Sequence, residues 1–290
     1  MRNMGRIRTF FRKVTKPIQV IGKWISSPIR RTRDFFLEEP GDAPVAESLQ
    51  LAFEEPESFL EHVGALRKHL LRSLAVLLVF VVICFAFLPE LLEFISQPIG
   101  GLEKLTAVDV TEPIGVGMRI VLLTAFSAAL PYIMFEVFLF VAPALSRRAR
   151  LIGLLSIPLV VIFFFGGMAF AFKLILPTGL PVLIYFLDIE TQIRPSSYIR
   201  FVTGLMFWFG ALFEFPLLAY VLTVMRILTA KMLIENWRIA VVVIAILAAV
   251  ITPTIDPINM MLVMVPLVLL YGLSILLSIL AGGRRREKET

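Results

Sequence analysis

The stretch FVTGLMFWFGALFEFPLLAYVLTV, residues 201–224, decides the fold class because it can cross a membrane as a single helix. At about 1.5 Å of rise per residue, it covers a hydrocarbon core of roughly 30 Å. The stretch also contains a carboxylate, Glu214, and an ionised acid at that depth costs at least about 2.5 kcal/mol on insertion scales. We therefore expect Glu214 to face protein or trapped water rather than lipid, or to be protonated.

Pro216 follows Glu214 by two residues, and a proline inside a helix removes a backbone donor and kinks the chain. The pair allows two interpretations: a kinked helix whose acid is satisfied by its neighbours, or a functional polar site inside a helix bundle. Acids within spans are rare, so we favour the functional site. Glu136 is a weaker candidate, because it lies near the end of another apolar run and its side chain could extend to water.

The composition indicates a polytopic membrane protein, since 58% of the 290 residues are hydrophobic and 17% are charged. None of the apolar runs has the alternation of a barrel strand. We predict an all-α fold, a single membrane domain of six transmembrane helices. The runs are residues 70–88, 120–141, 151–172, 201–223, 239–251 and 257–281. The fifth is short, because residues 238–251 form a helix of only about 21 Å.

The Lys and Arg residues near the span ends predict the orientation. Most of them fall on the side that carries both termini, which places both termini in the cytoplasm. The net charge of +6 therefore needs no nucleic acid as a partner. The lone Cys84 excludes an internal disulfide. No His and Cys set has metal-ligand spacing and no Ser, His and Asp set converges, so we predict no metal, no cofactor and no enzymatic activity.

The chain is predicted to consist of an N-terminal extension, the membrane domain and a C-terminal tail. Residues 1–57 are a basic extension with interleaved aromatic residues, ending in an acidic, proline-containing linker. This pattern suits a segment on an anionic phospholipid surface, with an RNA-binding patch and a disordered tail as alternatives. Residues 58–281 form the six-helix domain and residues 282–290 a basic cytoplasmic tail. The pair Arg30-Arg31 is followed by the acidic linker rather than an apolar run, so it does not indicate an export signal.

The loops carry local signals of their own. A capping box from Ser58 to Glu61 predicts a helix that starts at Phe59, runs along the interface and then turns into the first span. Turn residues in the first external loop, residues 89–117, predict an ordered cap. The external motifs are Pro98 and Pro113 in that loop, with Pro253 and Asp256 after the fifth span. Gly166-Gly167 in the third span would let another helix approach closely.

Five segments in register resemble the TatC family, the multispanning core subunit of the Sec-independent twin-arginine protein translocase. They are FLEHVGALRKHLLR at residues 59–72, FEVFLFVAPALSRRAR at 135–150, FFFGGMAFAFKLILP at 163–177, FEFPL at 213–217 and ITPTIDP at 251–257. The resemblance spans about residues 59–280 and leaves the basic extension outside it.

The resemblance implies a glove-shaped six-helix bundle in the cytoplasmic membrane, with short fifth and sixth helices and Glu214 as the buried acid of its hollow. It implies export of folded proteins driven by the proton-motive force. The implied partners are TatA- and TatB-type single-span proteins and the signal peptides of folded cargo.

The resemblance also implies a binding site for the two signal arginines, made by an acid in an H-L-x-E-L-R motif and a second acid after P-A-L. The matching residues are Glu61, His62, Leu66, Arg67, Pro143 and Leu145. Both family acids are replaced here, by Ala65 and Ala149. Two kinds of function stay open: a translocase subunit, either a receptor with altered recognition or a structural partner of another TatC-type chain, and a secondary transporter that relays protons through Glu214 and Glu136.

Overall fold

The structure is a computed structural model that describes residues 56–145, 147–184, 193–225, 227–252 and 257–286. Side chains are not described at 56–62, 144, 147–149, 182–183, 258 and 283–286. The described part contains ten α-helices. They are α1 Pro56–Ala86, α2 Leu88–Ser96, α3 Glu112–Val141, α4 Arg147–Phe170, α5 Leu176–Ile184, α6 Pro195–Phe213, α7 Phe215–Val224, α8 Ala230–Glu235, α9 Trp237–Ile251 and α10 Pro257–Arg286. A π-helical segment, Ala171–Ile175, joins α4 to α5.

Five helical stretches are long and apolar enough to span a membrane. They are Val63–Ala86, Glu112–Val141, Arg150–Pro181, Pro195–Val224 and Asn259–Gly282. A sixth apolar helix, α9, has 15 residues and is about 22 Å long. The six predicted helices and the short fifth one are therefore confirmed. The short sixth helix implied by the resemblance is wrong, because α10 has 30 residues.

Helix α1 differs from its prediction in two ways. It begins at Pro56 rather than at Phe59, and it continues without a break to Ala86, so no turn separates an interfacial part from the first span. The physical reason is the sequence after Pro56, which contains no further proline, while Pro56 itself occupies the first helical position where proline is tolerated.

Helix α1 lies at the edge of the bundle and packs along α3. Only 6% of its most apolar window is buried within the protein. Near its external end, Cys84 packs against Val121 and Ala125 of α3 in a small apolar cluster. The centre of the bundle is formed by α3, α4 and α6, while α7 and α9 pack on α10. We call the end that carries the Ala142–Ala144 turn the cytoplasmic end, following the orientation that the charges predict.

Helices α4 and α6 approach each other at glycines. A Cβ atom on Gly167 would lie 2.4 Å from the backbone oxygen of Phe209, and one on Gly210 would lie 2.9 Å from the ring of Phe164. The close approach predicted from the glycine pair is thus confirmed for Gly167, whereas Gly166 faces open space.

The first external loop is ordered, as predicted. It contains α2 and the short helical turns Gln97–Ile99 and Leu102–Lys104. The loop is tied to the start of α6, because Leu105 pairs with Ile193 in an isolated bridge and the Tyr198 hydroxyl donates to the Ile95 carbonyl at 2.7 Å. The two external loops and α6 therefore support one another.

Candidate functional site

The helix break predicted at Pro216 is present. Glu214 lies between α6 and α7, and its N–H donates to the carbonyl of Ala211 at 3.2 Å, three residues back rather than four. Pro216 is buried in the first turn of α7. Because Pro216 has no N–H group, one backbone hydrogen bond of the helix is missing, and a new helix, α7, begins one residue after Glu214. The sequence thus puts a carboxylate at a discontinuity inside a span.

The Glu214 carboxyl group is only partly satisfied by the protein. The residue is half-buried, and its Oε1 atom is buried with no hydrogen-bond partner among the described residues. Nearby, the Phe164 ring contacts Gly210, one turn before the acid, so this part of the α4–α6 interface is apolar. A buried oxygen without a partner is costly. Glu214 can therefore accept a hydrogen bond from a group that this chain does not supply.

Glu136 forms the most complete polar cluster of the described residues. Its side chain is 1% exposed. Nδ1 of His69 lies 2.5 Å from its Oε2 atom, and the Tyr132 hydroxyl donates to its Oε1 atom at 2.6 Å. Nη1 of Arg72 lies 4.0 Å from Oε2. The cluster joins α1 to α3 near the cytoplasmic end, whereas Cys84 joins them near the other end.

The expectation that Glu136 extends to water is therefore wrong. Depth along its own helix suggested that the side chain could leave the membrane, but α1 covers it and supplies His69 and Arg72 as partners. A buried carboxylate needs such partners, because removing it from water without them costs several kcal/mol. The same burial keeps Glu136 from contacting a ligand in this conformation.

The face of α1 that carries the cluster includes Ala65. His69 and Arg72 follow it by four and seven residues, which places all three on one side of the helix. Ala65 is half-buried, whereas Leu66 is 47% exposed and Arg67 is exposed. The side chains of Glu61 and His62, in the same helix, are outside the described part.

The turn after α3 is held by Arg150. Its Nε atom donates to the carbonyls of Ala142 at 2.8 Å and Leu145 at 3.0 Å, and its Nη2 atom donates to that of Pro143 at 3.3 Å. These carbonyls belong to a helix end, where backbone acceptors otherwise lack partners. Leu145 is buried and Pro143 exposed. The Ala149 side chain is not described.

Arg150 lies in a basic run around Ala149 in the sequence, but it is not an exposed cation. It is 5% exposed. Its positive charge is engaged by carbonyl dipoles rather than displayed to a ligand. Arg67 and the neighbouring Lys68 in α1 are exposed cations.

The residues predicted as external motifs lie far along the chain from Glu136 and Arg150. Pro98 is half-buried in the Gln97–Ile99 turn, and Pro113 is exposed in the first turn of α3. Beside it, the Glu112 carboxylate accepts from the N–H groups of Val108 and Ser196, at 3.0 and 2.9 Å. Pro98 and Pro113 thus shape the cap. Pro253 and Asp256 fall outside the described residues.

Sequence reasoning missed the partners of these groups. His69, Arg72 and Tyr132 were not assigned to Glu136, although the four-residue spacing of Tyr132 and Glu136 on one helix was a usable signal. No such signal exists in the sequence for Arg150, because this arginine binds backbone carbonyls, which every residue has. A contact between helices distant in sequence decides the case of Glu136, whereas the fold of the turn five to eight residues before Arg150 decides the case of that arginine.

Comparisons with known proteins agree with this architecture. The family model described as Sec-independent protein translocase protein (TatC) matches residues 61–266. The Sec-independent protein translocase protein TatC of Deinococcus radiodurans is 37% identical over 227 residues, covering 75% of this chain and 84% of that protein. The corresponding protein of Carboxydothermus hydrogenoformans is 31% identical over 228 residues, covering 78% and 94%.

The fold is also similar to a solved structure. The crystal structure of the twin-arginine translocase receptor TatC superposes with a TM-score of 0.68 and 29% identity, covering 76% of this chain and 99% of that one. A second crystal structure of the receptor, determined in the detergent DDM, gives a TM-score of 0.67. The family match runs from within α1 to within α10 and includes both Glu136 and Glu214.

Proposed function

Since the chain belongs to the TatC family, we propose that this subunit of the twin-arginine translocase contributes its helix bundle while a second TatC-type chain binds the signal arginines. Membership makes it a non-enzymatic, multi-pass protein of the inner membrane, in a translocase that also contains TatA and TatB. The relatives give no support to the alternative of a secondary transporter.

The observation that carries the proposal is the lack of an available carboxylate at the expected signal site. Two arginines are best held by carboxylates, through charge-assisted and often bidentate hydrogen bonds. Ala65 and Ala149 occupy the positions of both family acids. Residues 59–72 and 135–150 contain only two acids, Glu61 and Glu136.

Glu136 does not replace a missing acid in this arrangement. Its carboxylate is 1% exposed and is already bonded to His69 and Tyr132, with Arg72 nearby. A signal arginine would have to open the α1–α3 contact and displace these partners, which would leave His69 and Tyr132 without an acceptor. Glu136 therefore stabilises the contact between α1 and α3 and is not available to bind a signal arginine.

Glu61 is the remaining candidate, and it lies one helical turn before Ala65. A single carboxylate supplies half of the charge that two arginines require. The exposed Arg67 and Lys68 add like charge, which opposes a cationic ligand. Recognition by this chain alone is accordingly weak, and the recognition step belongs to a partner chain or to an altered signal.

Glu214 and Pro216 supply the second part of the proposal. A carboxyl group with an unpartnered buried oxygen at a helix break offers an acceptor to a polar group of a single-span TatA- or TatB-type helix or of a signal peptide. We propose that Glu214 acts in assembly or in transport rather than in stabilising the helix bundle. Transport is driven by the proton-motive force.

Export of a marker protein with a twin-arginine signal tests the proposal in cells that lack their own TatC. We expect the wild-type chain alone to export poorly, and the Ala65→Glu/Ala149→Glu variant to gain export, because it restores both carboxylates. A co-expressed standard homologue should export with or without this chain, and the two should co-purify. Full export by the wild-type chain alone would contradict the two-chain proposal.

A further inference from the structure

A groove of about 350 Å³ lies between α9 and its neighbours, away from the polar sites described above. Its wall includes Leu212 and Phe215 at the break between α6 and α7, Ile244 and Leu247 of α9, and Leu267 and Tyr271 of α10. Residues of α8 close the side towards the cytoplasmic end. The groove is thus bounded by residues of five helices and follows much of the short fifth span.

The two polar side chains in the wall, Tyr271 and Asn236, each donate to a backbone carbonyl of α8. The Tyr271 hydroxyl donates to the Leu233 carbonyl at 2.5 Å, and Nδ2 of Asn236 donates to the Met232 carbonyl at 2.8 Å. Both donors are used to fix α8 against α10 and to cap its end. The interior therefore presents hydrocarbon, and water in it would lack the polar partners that an ordered water needs.

Two apolar occupants are available in a membrane, an acyl chain and a partner helix. An acyl chain is narrow enough to lie in the groove, and the surrounding bilayer supplies acyl chains at high local concentration. A partner helix is about 10 Å wide, and the variants described below distinguish it from a lipid.

Charge at one end of the groove specifies the kind of lipid. Lys231 is adjacent in sequence to the lining residue Met232, and its side chain is 82% exposed. It pairs with Glu235 at 3.6 Å, an exposed contact that holds the lysine weakly. Arg238 is exposed beside Ile239, and its guanidinium carbon lies 5.7 Å from the Trp237 ring centroid. Cations beside an aromatic ring are typical of headgroup contacts.

We propose that this groove binds one acyl chain of an anionic phospholipid, whose headgroup contacts Lys231 and Arg238. Such a lipid fills the space beside the fifth span, which is about 22 Å long and too short for a bilayer of roughly 30 Å. The acyl chain restores dispersion contacts to the groove wall, and the cations select the headgroup. The binding does not depend on which chain recognises the signal.

Native mass spectrometry of the full chain tests the proposal. The protein is reconstituted in nanodiscs of equal parts dioleoylphosphatidylglycerol and dioleoylphosphatidylcholine, then released, and the retained lipids are counted. We expect the wild type to retain phosphatidylglycerol preferentially. The Lys231→Gln/Arg238→Gln variant should weaken this retention by about fivefold for each cation removed. Arg119→Gln, an exposed cation at the external end, is the matched control and should change nothing.

A second pair of variants separates groove binding from general lipid contact. Ala240 lines the groove and Ala249 is exposed on the same helix outside it. Ala240→Phe should remove the retained phosphatidylglycerol, and Ala249→Phe should not. Val243→Trp, also in the lining, repeats the test if Ala240→Phe does not fold.

Three outcomes would overturn the proposal. They are equal retention in the groove-filling variants and the wild type, retention of phosphatidylcholine and phosphatidylglycerol in equal amounts, and loss of a co-purified single-span partner from Ala240→Phe while its lipid is retained. The last result would assign the groove to a partner helix.

Discussion

Replacing Glu136 by Ala should release α1 from α3, because the carboxylate is the acceptor that both helices share. The change removes the hydrogen bond that joins the two helices, from His69 of α1 at 2.5 Å, whereas the bond from Tyr132 lies within α3. A hydrogen bond to a charged group contributes about 1.5 kcal/mol at the lower end of its range. The contact should therefore weaken by about 1.5 kcal/mol, which raises the population with α1 detached by roughly tenfold.

The lone cysteine provides the assay for this prediction. Cys84 is buried where α1 meets α3, packed against Val121 and Ala125, so its thiol reacts with a maleimide mainly when the two helices separate. We expect the labelling rate of the purified protein to rise about tenfold in Glu136→Ala and by less in Glu136→Gln, since the amide oxygen of glutamine still accepts from His69.

The control is Glu93→Ala, an exposed acid of α2, which should label at the wild-type rate. An unchanged rate in Glu136→Ala would refute the reasoning, because α1 would then be held by its apolar contacts alone. Equal acceleration in Glu93→Ala would show that the assay reports a general loosening of the protein.

Gly167→Ala should lower the melting temperature by an amount equivalent to about 1–3 kcal/mol, because its Cβ would lie 2.4 Å from a backbone oxygen; Gly166→Ala, in open space, should have no effect, and equal melting temperatures would contradict the packing. Glu214→Ala should leave the melting temperature nearly unchanged and reduce co-purification of a TatB-type partner; loss of stability without loss of partner would make the acid structural. In a cysteine-free background, a cysteine at Gly101 should be labelled from outside the cell and one at Glu235 should not; the reverse would overturn the predicted orientation.

The six-helix arrangement could be predicted from the sequence because hydrophobic length is a local property. Residues 257–281 already indicated a long sixth helix, whereas the short one came from the resemblance and is contradicted by α10. The helix break at Glu214 was equally local, since a proline two residues later removes a specific backbone donor. Patterns confined to one segment were therefore reliable here.

The environment of Glu136 could not be predicted in this way. Its burial depends on His69, 67 residues away in the chain, and on the side of α1 that packs against α3. Arg150 is a similar case, because a basic run near a span end is typical of exposed cations, yet this arginine is used to satisfy the end of α3. The packing of α1 on α3 therefore determines the role of Glu136, and the fold of the turn between α3 and α4 determines that of Arg150.

The affinity of the purified chain for a twin-arginine peptide tests the central claim most directly, compared with a peptide in which both arginines are replaced by lysine. We expect weak binding by the wild type, with little preference for arginine. In Ala65→Glu/Ala149→Glu, two restored carboxylate contacts should strengthen binding by roughly 150-fold. Tight, arginine-dependent binding by the unmodified chain would contradict the account, and its loss in Glu61→Ala would identify Glu61 as the receptor carboxylate.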